Sequence, residues 1–372
     1  MSGPFKVLAL GGDHIGPEVV GAGLRVLLQT ADQFGVGVEV EEDLLGGASW
    51  DVHGTFCTDA VVDKARAADA ILVGAVGGPE WDGIRIDGPI TETDGLTRLR
   101  IELDVYNALR PARAWSSLLS RTPYRKEIVD GADLLVVREN SGGVYYGEPR
   151  GREVLSDGQV RAYEISEYRT SEVERIARCA FEAARGRRGY VTSLDKSNVM
   201  ESGKLWRETV ERIGRDEYPD VELQHLLMDY ALFAVARAPK DFDVLLADNL
   251  FGDLISDLIA VISGSLGMLP SATLPAAARE ASPVKGGLYE PTHGSAPDIS
   301  GRGIANPIGA ILSVAMMFEY GFGCAPAARA IVGAVDSVLN AGVLPPDLGG
   351  TADTGAVTQA VLGYLRSSAS WS

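Results

Sequence analysis

The chain has 372 residues, with 34 basic and 51 acidic side chains and a formal net charge of −17. It is 46% hydrophobic and 23% charged, which is ordinary globular usage and excludes extended disorder. At roughly 150 residues per domain, this length predicts two or three domains. The acidic balance argues against nucleic acid and anionic membranes as partners, because such a surface repels polyanions. We therefore expect a protein that acts on small molecules.

The residue types that build disulfide frameworks and zinc sites are scarce and scattered. They are Cys57, Cys179 and Cys324, and His14, His53, His225 and His293. The cysteines form no CxxC pair and the histidines no HExxH pattern, so any metal should be held by oxygen. No uninterrupted run of about 18 apolar residues occurs, which argues against a membrane span. The short apolar run near the amino terminus indicates a strand and not a signal sequence, so we expect a cytoplasmic location.

Strand-like and helix-like segments alternate along the chain, which predicts an α/β fold with helices covering a sheet. The first unit is a strand over Phe5–Leu10, a glycine turn over 11–16 and a helix beginning at Pro17. The turn has GGxxxG spacing instead of the dinucleotide pattern GxGxxG, and a tight strand-to-helix turn explains its glycines better. Another strand is predicted over Ala70–Val76.

The second half of the chain continues this alternation. The next predicted features are a projecting glycine-rich arm over Ser141–Gly151, a helix over Ser171–Arg185, strands over Tyr190–Leu194 and Phe242–Ala247, and a domain crossing over Ser263–Pro270. Ser171 and Glu174 have the spacing of a capping box for that helix.

The segment DNLFGDLISD at 248–257 lies where a predicted strand meets a helix. Asp253 and Asp257 are four residues apart, so a helix places both carboxylates on one face, where they repel each other. A divalent cation removes that repulsion, and carboxylate ligands suit Mg²⁺ or Mn²⁺. A solvated helix face, or caps for the first turn, explains the same two residues without a metal.

Other candidate functional side chains follow apolar strands. Arg100, Arg110 and Arg138 could clamp a di- or tricarboxylate if they converge, although each could instead pair with a neighbouring acid. Tyr145 and Lys196 lie in loops and are candidate proton-transfer groups, with a structural or solvated role as the alternative.

Several long segments match one family in order along the chain. They are GGDHIGPEVV (11–20), VGAVGGPEWDG (73–83), LRIELDVYNALRPAR (99–113), VVRENSGGVYYGEPRG (136–151), SLDKSNVMESGKLWR (193–207), DNLFGDLISD (248–257) and YEPTHGSAPDISGRGIANP (289–307). On these segments the chain resembles the isocitrate/isopropylmalate dehydrogenases, which are β-hydroxyacid oxidative decarboxylases.

The resemblance implies a two-domain, isopropylmalate-dehydrogenase-like α/β fold, with a central mixed sheet flanked by helices and no ordinary Rossmann motif. The first domain would comprise residues 1–105 and 264–372 and lie on the cofactor side. The second would comprise 106–263, with the dimer interface, the metal site and a projecting arm at about 141–170.

The resemblance also implies an NAD- and Mg²⁺- or Mn²⁺-dependent oxidoreductase, active as a homodimer with shared active sites. The implied proton-transfer residues are Tyr145 as the acid, and Lys196 assisted by Asp229, both from the partner subunit, as the base. The implied metal ligands are Asp253, Asp257 and the same Asp229. The implied substrate-binding residues are Arg100, Arg110, Arg138, Leu96, Thr97 and Val199. The implied cofactor-binding residues are Asn198, Glu290, His293, Gly294, Ser295, Ala296, Asp298 and Asn306.

The sequence departs from the isopropylmalate type where the substrate substituent would lie. Thr97 stands where a second leucine is usual, and Arg98 and Asn140 are similar to tartrate-, malate- or isocitrate-type relatives. The leading hypothesis is oxidative decarboxylation of a 3-substituted (2R)-malate, with 3-isopropylmalate favoured; tartrate, D-malate or another 3-alkylmalate is the alternative. A metal- or anion-binding regulatory protein without catalysis is a third hypothesis, which the retained proton-transfer residues argue against.

Overall fold

The computed structural model describes residues 3–84, 86, 89–278 and 283–368. The strands within these ranges are β1 (Phe5–Gly12), β2 (Val38–Asp43), β3 (Ala70–Ala75), β4 (Asn107–Arg113), β5 (Asp133–Glu139), β6 (Gly151–Val154), β7 (Val160–Tyr163), β8 (Tyr190–Asp195), β9 (Glu222–Leu227), β10 (Val244–Ala247), β11 (Pro270–Leu274) and β12 (Gly287–Pro291). The α-helices are α1 (Gly16–Phe34), α2 (Gly47–His53), α3 (Asp59–Ala67), α4 (Ile90–Thr93), α5 (Gly95–Glu102), α6 (Lys126–Val129), α7 (Thr170–Arg185), α8 (Glu201–Glu217), α9 (Met228–Arg237), α10 (Asn249–Ser263), α11 (Ile308–Met316), α12 (Ala325–Asn340) and α13 (Thr354–Ser368).

The main sheet has ten strands among the described residues, in the order β2-β1-β3-β12-β11-β4-β5-β10-β8-β9. The first four strands form one parallel block and the last four another. Because β11 and β4 pair antiparallel with each other and with their outer neighbours, the two blocks run in opposite directions. The predicted α/β class and central mixed sheet are confirmed. The domain boundaries stay a prediction.

The predicted strands and helices agree with the structure to within two residues at their starts, but the predicted cap of one helix is wrong. Helix α7 begins at Thr170, so the capping position falls on Arg169, whose backbone N–H donates to the Glu172 carboxylate at 2.7 Å. The capping box predicted from Ser171 and Glu174 is therefore wrong by two residues. Glu174 instead forms ion pairs with arginines on neighbouring turns and on α8.

The glycine turn after β1 is explained by close packing. Gly12 has a φ of +72°, and a Cβ there would lie 2.0 Å from the Ala75 carbonyl oxygen of β3. A Cβ at Gly16 would lie 2.1 Å from the Gly11 carbonyl oxygen. Only glycine fits such approaches, as the tight-turn interpretation predicts.

Strand β4 at the centre of the sheet has two different faces. Arg110 and its alternate neighbours point to one face, which we call the front, while Leu109 and Arg113 point to the other, the rear. Helix α10 packs against β4 and β5, and its Ile255 and Ile259 are fully buried. Each such side chain contributes about 1.5–3 kcal/mol to folding.

The arm expected at about 141–170 contains a two-stranded hairpin of β6 and β7, which begins where the glycine-rich segment ends, with Gly151 paired to Tyr163. Nearly all residues of the two strands are exposed, including Val154 and Val160. In the part of the chain that the structure describes, no helix is both long enough and apolar enough to cross a bilayer.

Candidate active site

Two arginines converge on the front face of the sheet. Arg110 projects from β4 and Arg138 from β5, and both are almost completely buried. Their Nη1 atoms donate to the same oxygen of Asp253 on α10, at 3.1 and 2.5 Å. The sequence argument for a carboxylate clamp required such convergence, and the structure brings these two together around a carboxylate of the protein itself.

The Arg138 guanidinium is held in a fixed orientation by Asn249. Its Nε and Nη2 atoms donate to the Asn249 side-chain oxygen at 3.1 and 2.6 Å, and the Asn249 amide donates to the Gly142 carbonyl oxygen. A Cβ at Gly252 would lie 2.5 Å from Arg138 Cγ, so glycine is required where α10 crosses the arginine stem. Burial, and secondly the charge of Arg110, lower the pKa of Arg138 to about 10. Sequence reasoning did not find the role of Asn249, although it lies in the acidic motif.

Arg100, at the end of α5, forms an ion pair with Glu290 at 2.7 Å. Both side chains are largely buried. Burial lowers the pKa of Arg100, but the charge and hydrogen bond of Glu290, together with Tyr146 and Asp94, outweigh burial and raise the pKa overall. An arginine expected at the substrate and a glutamate expected at the cofactor are therefore in direct contact.

Tyr145 donates its phenolic O–H to the second oxygen of Asp253 at 3.2 Å. Burial, followed by the charge of Asp253, raises the pKa of this phenol above its usual value. Tyr145 is therefore protonated at neutral pH and able to act as a proton donor. Arg150 donates to the Tyr145 carbonyl oxygen at 2.7 Å and fixes the backbone of that turn.

These groups surround a cavity of about 370 Å³. It is lined by Ile90, Asp94, Thr97, Arg100, Arg110, Arg138, Tyr145, Tyr146, Arg150, Asn249 and Asp253. Four arginines against two carboxylates make the cavity cationic, in a protein whose net charge is −17. Such a cavity favours a small molecule with two or more negative charges.

The residues expected to read the substrate substituent differ in placement. Thr97 lines the cavity, as does Tyr146. Leu96 is not among the lining residues, because it packs into the core with Leu45 and Leu99. Of the adjacent pair Leu96 and Thr97, only the polar Thr97 therefore lines the cavity, and Tyr146 is a further polar lining residue.

Arg98 and Asn140 do not line the cavity. Arg98 donates to the Cys57 carbonyl oxygen at 2.7 Å and forms an ion pair with Asp59. Asn140 is almost completely buried, and its side-chain amide has no hydrogen-bond partner among the described residues. Two of the three residues that suggested a tartrate or malate substrate are therefore directed elsewhere.

Asp253 and Asp257 lie one turn apart on α10, as predicted. Partial burial, and secondly the charge of Asp253, raise the pKa of Asp257. Within the described ranges, no group of three His, Cys, Asp or Glu side chains is arranged to hold a metal. The two carboxylates fit a hard cation in donor chemistry, while the third expected ligand, Asp229, does not line the cavity that contains Asp253.

Lys196 and Asp229 form an ion pair of their own. Lys196 follows β8 and Asp229 opens α9 after the neighbouring strand β9, and neither lines the cavity. The Lys196 side chain lowers the pKa of Asp229. Val199 and Tyr230, beside them in sequence, are 70% and 57% exposed, which is unusual for apolar side chains of this size.

The segment expected to hold the adenosine half of the cofactor follows β12 and packs on the first glycine turn. The backbone N–H of Ile15 donates to the Ser295 carbonyl oxygen at 3.1 Å, and Ala296 has a left-handed φ of 43°. Asn306 is buried and donates to Asp347 at 3.0 Å. The segment is therefore anchored at both ends.

Two side chains of this segment have free hydrogen-bonding capacity. His293 is near the Gly294 carbonyl oxygen through Nδ1, while its buried Nε2 has no partner in the described part of the chain. Burial lowers the pKa of His293, so the imidazole is neutral. Asp298 is exposed, as is Asn198 in the loop after Lys196. A buried unpaired ring nitrogen and an exposed carboxylate fit a nucleoside with hydroxyl groups to bind.

Comparison with known proteins identifies what this arrangement is similar to. A model of the isocitrate/isopropylmalate dehydrogenase family matches residues 6–361. A 3-isopropylmalate dehydrogenase from Pseudomonas fluorescens is 46% identical over 365 residues, covering 97% of this chain and 99% of that protein. One from Caulobacter vibrioides is 48% identical over 361 residues, covering 96% and 99%.

Solved structures show the same fold. An isocitrate dehydrogenase from Methylococcus capsulatus superposes with a TM-score of 0.84 at 32% identity, covering 97% of this chain and 99% of that one. A beta-decarboxylating dehydrogenase from Thermococcus kodakarensis superposes with a TM-score of 0.76 at 32% identity, covering 98% and 96%.

Proposed function

The chain belongs to the isocitrate/isopropylmalate dehydrogenase family, and from that membership we propose that it oxidatively decarboxylates 3-isopropylmalate with NAD in leucine biosynthesis. The product is 4-methyl-2-oxopentanoate. The observation that carries the proposal is the convergence of Arg110, Arg138 and Tyr145 on Asp253 in a cationic cavity. This site joins an anion clamp to a protonated acid, which the reaction requires.

Substrate binding rests on the arginines. Arg100, Arg110 and Arg138 are the proposed ligands of the two malate carboxylates, because a planar guanidinium binds a carboxylate through two hydrogen bonds. Asn249 keeps the Arg138 fork oriented when no substrate is present. The alkyl group would contact Thr97 and the partner's Val199.

The chemistry has three steps in this proposal. Lys196 with Asp229 accepts the hydroxyl proton of C2. NAD, held by the residues of the proposed cofactor site, would accept the hydride from C2, and the oxidised substrate is a β-ketoacid. Loss of CO₂ then gives an enolate, whose developing negative charge lies among the arginines. Tyr145 returns a proton to carbon, and its raised pKa supports this role because the phenol is protonated beforehand.

Asp253 and Asp257 are the proposed ligands of a Mg²⁺ or Mn²⁺ ion, with Asp229 of the second subunit as the third. When bound, the cation supplies Lewis acidity to the substrate oxygens. The proposed NAD site comprises Glu290, the segment 293–298, Asn306 and Asn198. Asp298 favours NAD over NADP, because a carboxylate accepts hydrogen bonds from ribose hydroxyls and repels a 2′-phosphate.

A homodimer with shared sites accounts for the separation of the two groups. Lys196 and Asp229 are paired away from the cavity in one chain, so a second chain would have to supply them. Val199, Tyr230 and Phe233 form an exposed apolar surface next to them, which a dimer interface would cover. We also place the enzyme in the cytoplasm, which fractionation of cells tests.

A substrate panel tests the activity. The purified protein with Mn²⁺ should reduce NAD with 3-isopropylmalate at a kcat/KM at least tenfold above that with D-malate, tartrate or isocitrate, and prefer NAD to NADP. The polar Thr97 and Tyr146 are the observation that favours the alternative, a D-malate or tartrate dehydrogenase. A reversed substrate order would establish that alternative, and no reduction with any of these acids would refute both.

Mixing two inactive variants tests the shared site. Lys196→Ala and Asp253→Asn each damage both sites of a homodimer, but a mixed dimer has one intact site. After random reassociation, half of the dimers are mixed, so activity should recover to about a quarter of wild type. No recovery, despite mixed dimers shown by mass spectrometry, contradicts the proposal. If the Lys196→Ala variant keeps full turnover, the reaction does not use Lys196 as its base.

A further inference from the structure

A second and larger cleft lies on the rear face of the sheet, away from the arginine cavity. Its volume is about 1130 Å³, and we call it the rear cleft. Its floor is formed by β4 and β5, one wall by α7 and the other by α11 and α12. Residues that define it are Leu109, Arg113, Glu182, Met316, Val332 and Asp336. Nothing in the proposed reaction uses these residues.

Arg113 brings a positive charge to this cleft without an ion pair. Its guanidinium carbon lies 3.7 Å from the ring centre of Trp115, over the face of the indole. No ion pair joins it to a carboxylate within the described residues. Its pKa is lowered by burial, with the charges of Asp336 and Asp133 acting in the opposite direction. Since Asp133 is already bound by Arg187, Arg113 has its stacking partner but no anion of its own.

Asp336 lies on the opposite wall, on α12. It is close enough for its charge to act on Arg113, yet the two side chains form no ion pair. The Asp336 carboxylate accepts a hydrogen bond from the side-chain amide of Asn340, one turn further along the helix. A partly buried cation and a carboxylate therefore line the same cleft within electrostatic range but without an ion pair, and a molecule carrying both charges could bridge them.

One wall of the rear cleft is apolar, whereas charged side chains line other parts of it, namely Asp133, Glu182, Arg187, Glu319 and Arg329. Leu312, Met316, Ala328 and Val332 project into it from α11 and α12. An apolar side chain placed there would leave the water while charged groups stay at Arg113 and Asp336.

We propose that the rear cleft binds an apolar α-amino acid as a zwitterion, with its carboxylate on Arg113 and its ammonium group on Asp336. This site is independent of the proposed reaction, since it lies on the opposite face of β4 from Arg110. A ligand there would leave the substrate arginines free.

Isothermal titration calorimetry on the full-length protein tests the proposal, with L-leucine and L-phenylalanine as probes. At least one should bind with a Kd below about 1 mM. Two analogues of leucine each carry only one of its two charges. The first, 4-methylpentanoate, lacks the ammonium group, and the second, 3-methylbutylamine, lacks the carboxylate. Arg113→Gln should weaken the amino acid and 4-methylpentanoate at least tenfold. Asp336→Asn should weaken the amino acid at least tenfold, but change 4-methylpentanoate less than twofold.

Controls separate this site from general charge effects. Arg125→Gln removes an exposed arginine outside the rear cleft and should change the Kd less than twofold. Val332→Trp fills the apolar part while both charges remain, and should abolish binding. Saturating 3-isopropylmalate should not displace the amino acid.

Three results would overturn the proposal. These are no saturable binding of either amino acid up to about 10 mM, displacement by 3-isopropylmalate, and equal losses in Arg113→Gln and Arg125→Gln. Circular dichroism melting curves check that each variant is folded. If Arg113→Gln were unfolded, the Asp336→Asn and Val332→Trp results decide alone.

Discussion

Replacing Tyr145 by phenylalanine removes one oxygen from the site and tests the order of the chemical steps. The lost hydrogen bond to Asp253 is 3.2 Å long and only partly shielded from water, so the variant should lose about 0.5–1 kcal/mol of stability. Loss of a positioned general acid lowers kcat by about 10²–10⁴, or roughly 3–5 kcal/mol in the barrier. Folding should therefore be nearly normal while turnover nearly stops.

The assay follows NADH in a single turnover as well as in the steady state. In the proposed sequence NADH forms before the enol is protonated, so Tyr145→Phe should still produce one equivalent of NADH per site at a near-normal rate. Steady-state kcat should then fall, because product forms slowly. Tyr146→Phe is the matched control, because Tyr146 lines the same cavity but it is Tyr145 whose phenol donates to Asp253. The kcat of this control should change less than about fivefold. The reasoning is refuted if Tyr145→Phe keeps its kcat, or if the single-turnover rate falls in parallel with it.

Three further predictions concern binding and stability. Arg138→Lys keeps a charge but loses the paired hydrogen bonds to Asn249, so kcat/KM should fall about 30- to 1000-fold. The control Arg98→Lys changes an arginine outside the cavity and should change kcat/KM less than threefold. Equal effects of the two variants in steady-state assays would contradict the carboxylate clamp. Thr97→Leu should raise the preference for 3-isopropylmalate over D-malate by about fivefold in kcat/KM, and an unchanged ratio rejects the pocket assignment. Burial raises the pKa of the Asp248 carboxyl from 3.8 to about 6. The folded state therefore binds this proton at a higher pH than the unfolded state does, and the free energy of unfolding falls as pH rises from about 4 to 6. Asp248→Asn keeps the capping oxygen and should melt at a higher temperature than wild type at pH 7 but not at pH 4, and equal shifts at both pH values would exclude this cause.

The sequence predicted the elements that have a strong local signal. The apolar runs of β1, β3, β8 and β10 mark buried strands, and their starts agree within two residues. The order of the strands has no such signal. Strand β12 pairs with β3 although Gly287 and Ala70 are more than 200 residues apart, and nothing in either segment specifies that partner.

The site was partly predictable for a similar reason. Arg110, Arg138 and Tyr145 stand in long family segments, and the structure brings them together. Asn249 and Arg150 were missed, because they act through a contact to another side chain or to a backbone oxygen that only the folded chain reveals. Arg98 shows the opposite error, since a basic residue near the site in sequence is directed away from it.

The position of β12 between β3 and β11 has a consequence during synthesis on the ribosome. Until residues 287–291 have emerged from the ribosome, β3 lacks a neighbouring strand on one side. Strand β11 likewise lacks one of its two neighbouring strands. The amino-terminal block can then form only three of its strands, and its open edge is exposed to pairing with other chains. The nascent protein should therefore depend on chaperones until about three quarters of it has been made, and truncation before β12 should give aggregates instead of a folded fragment.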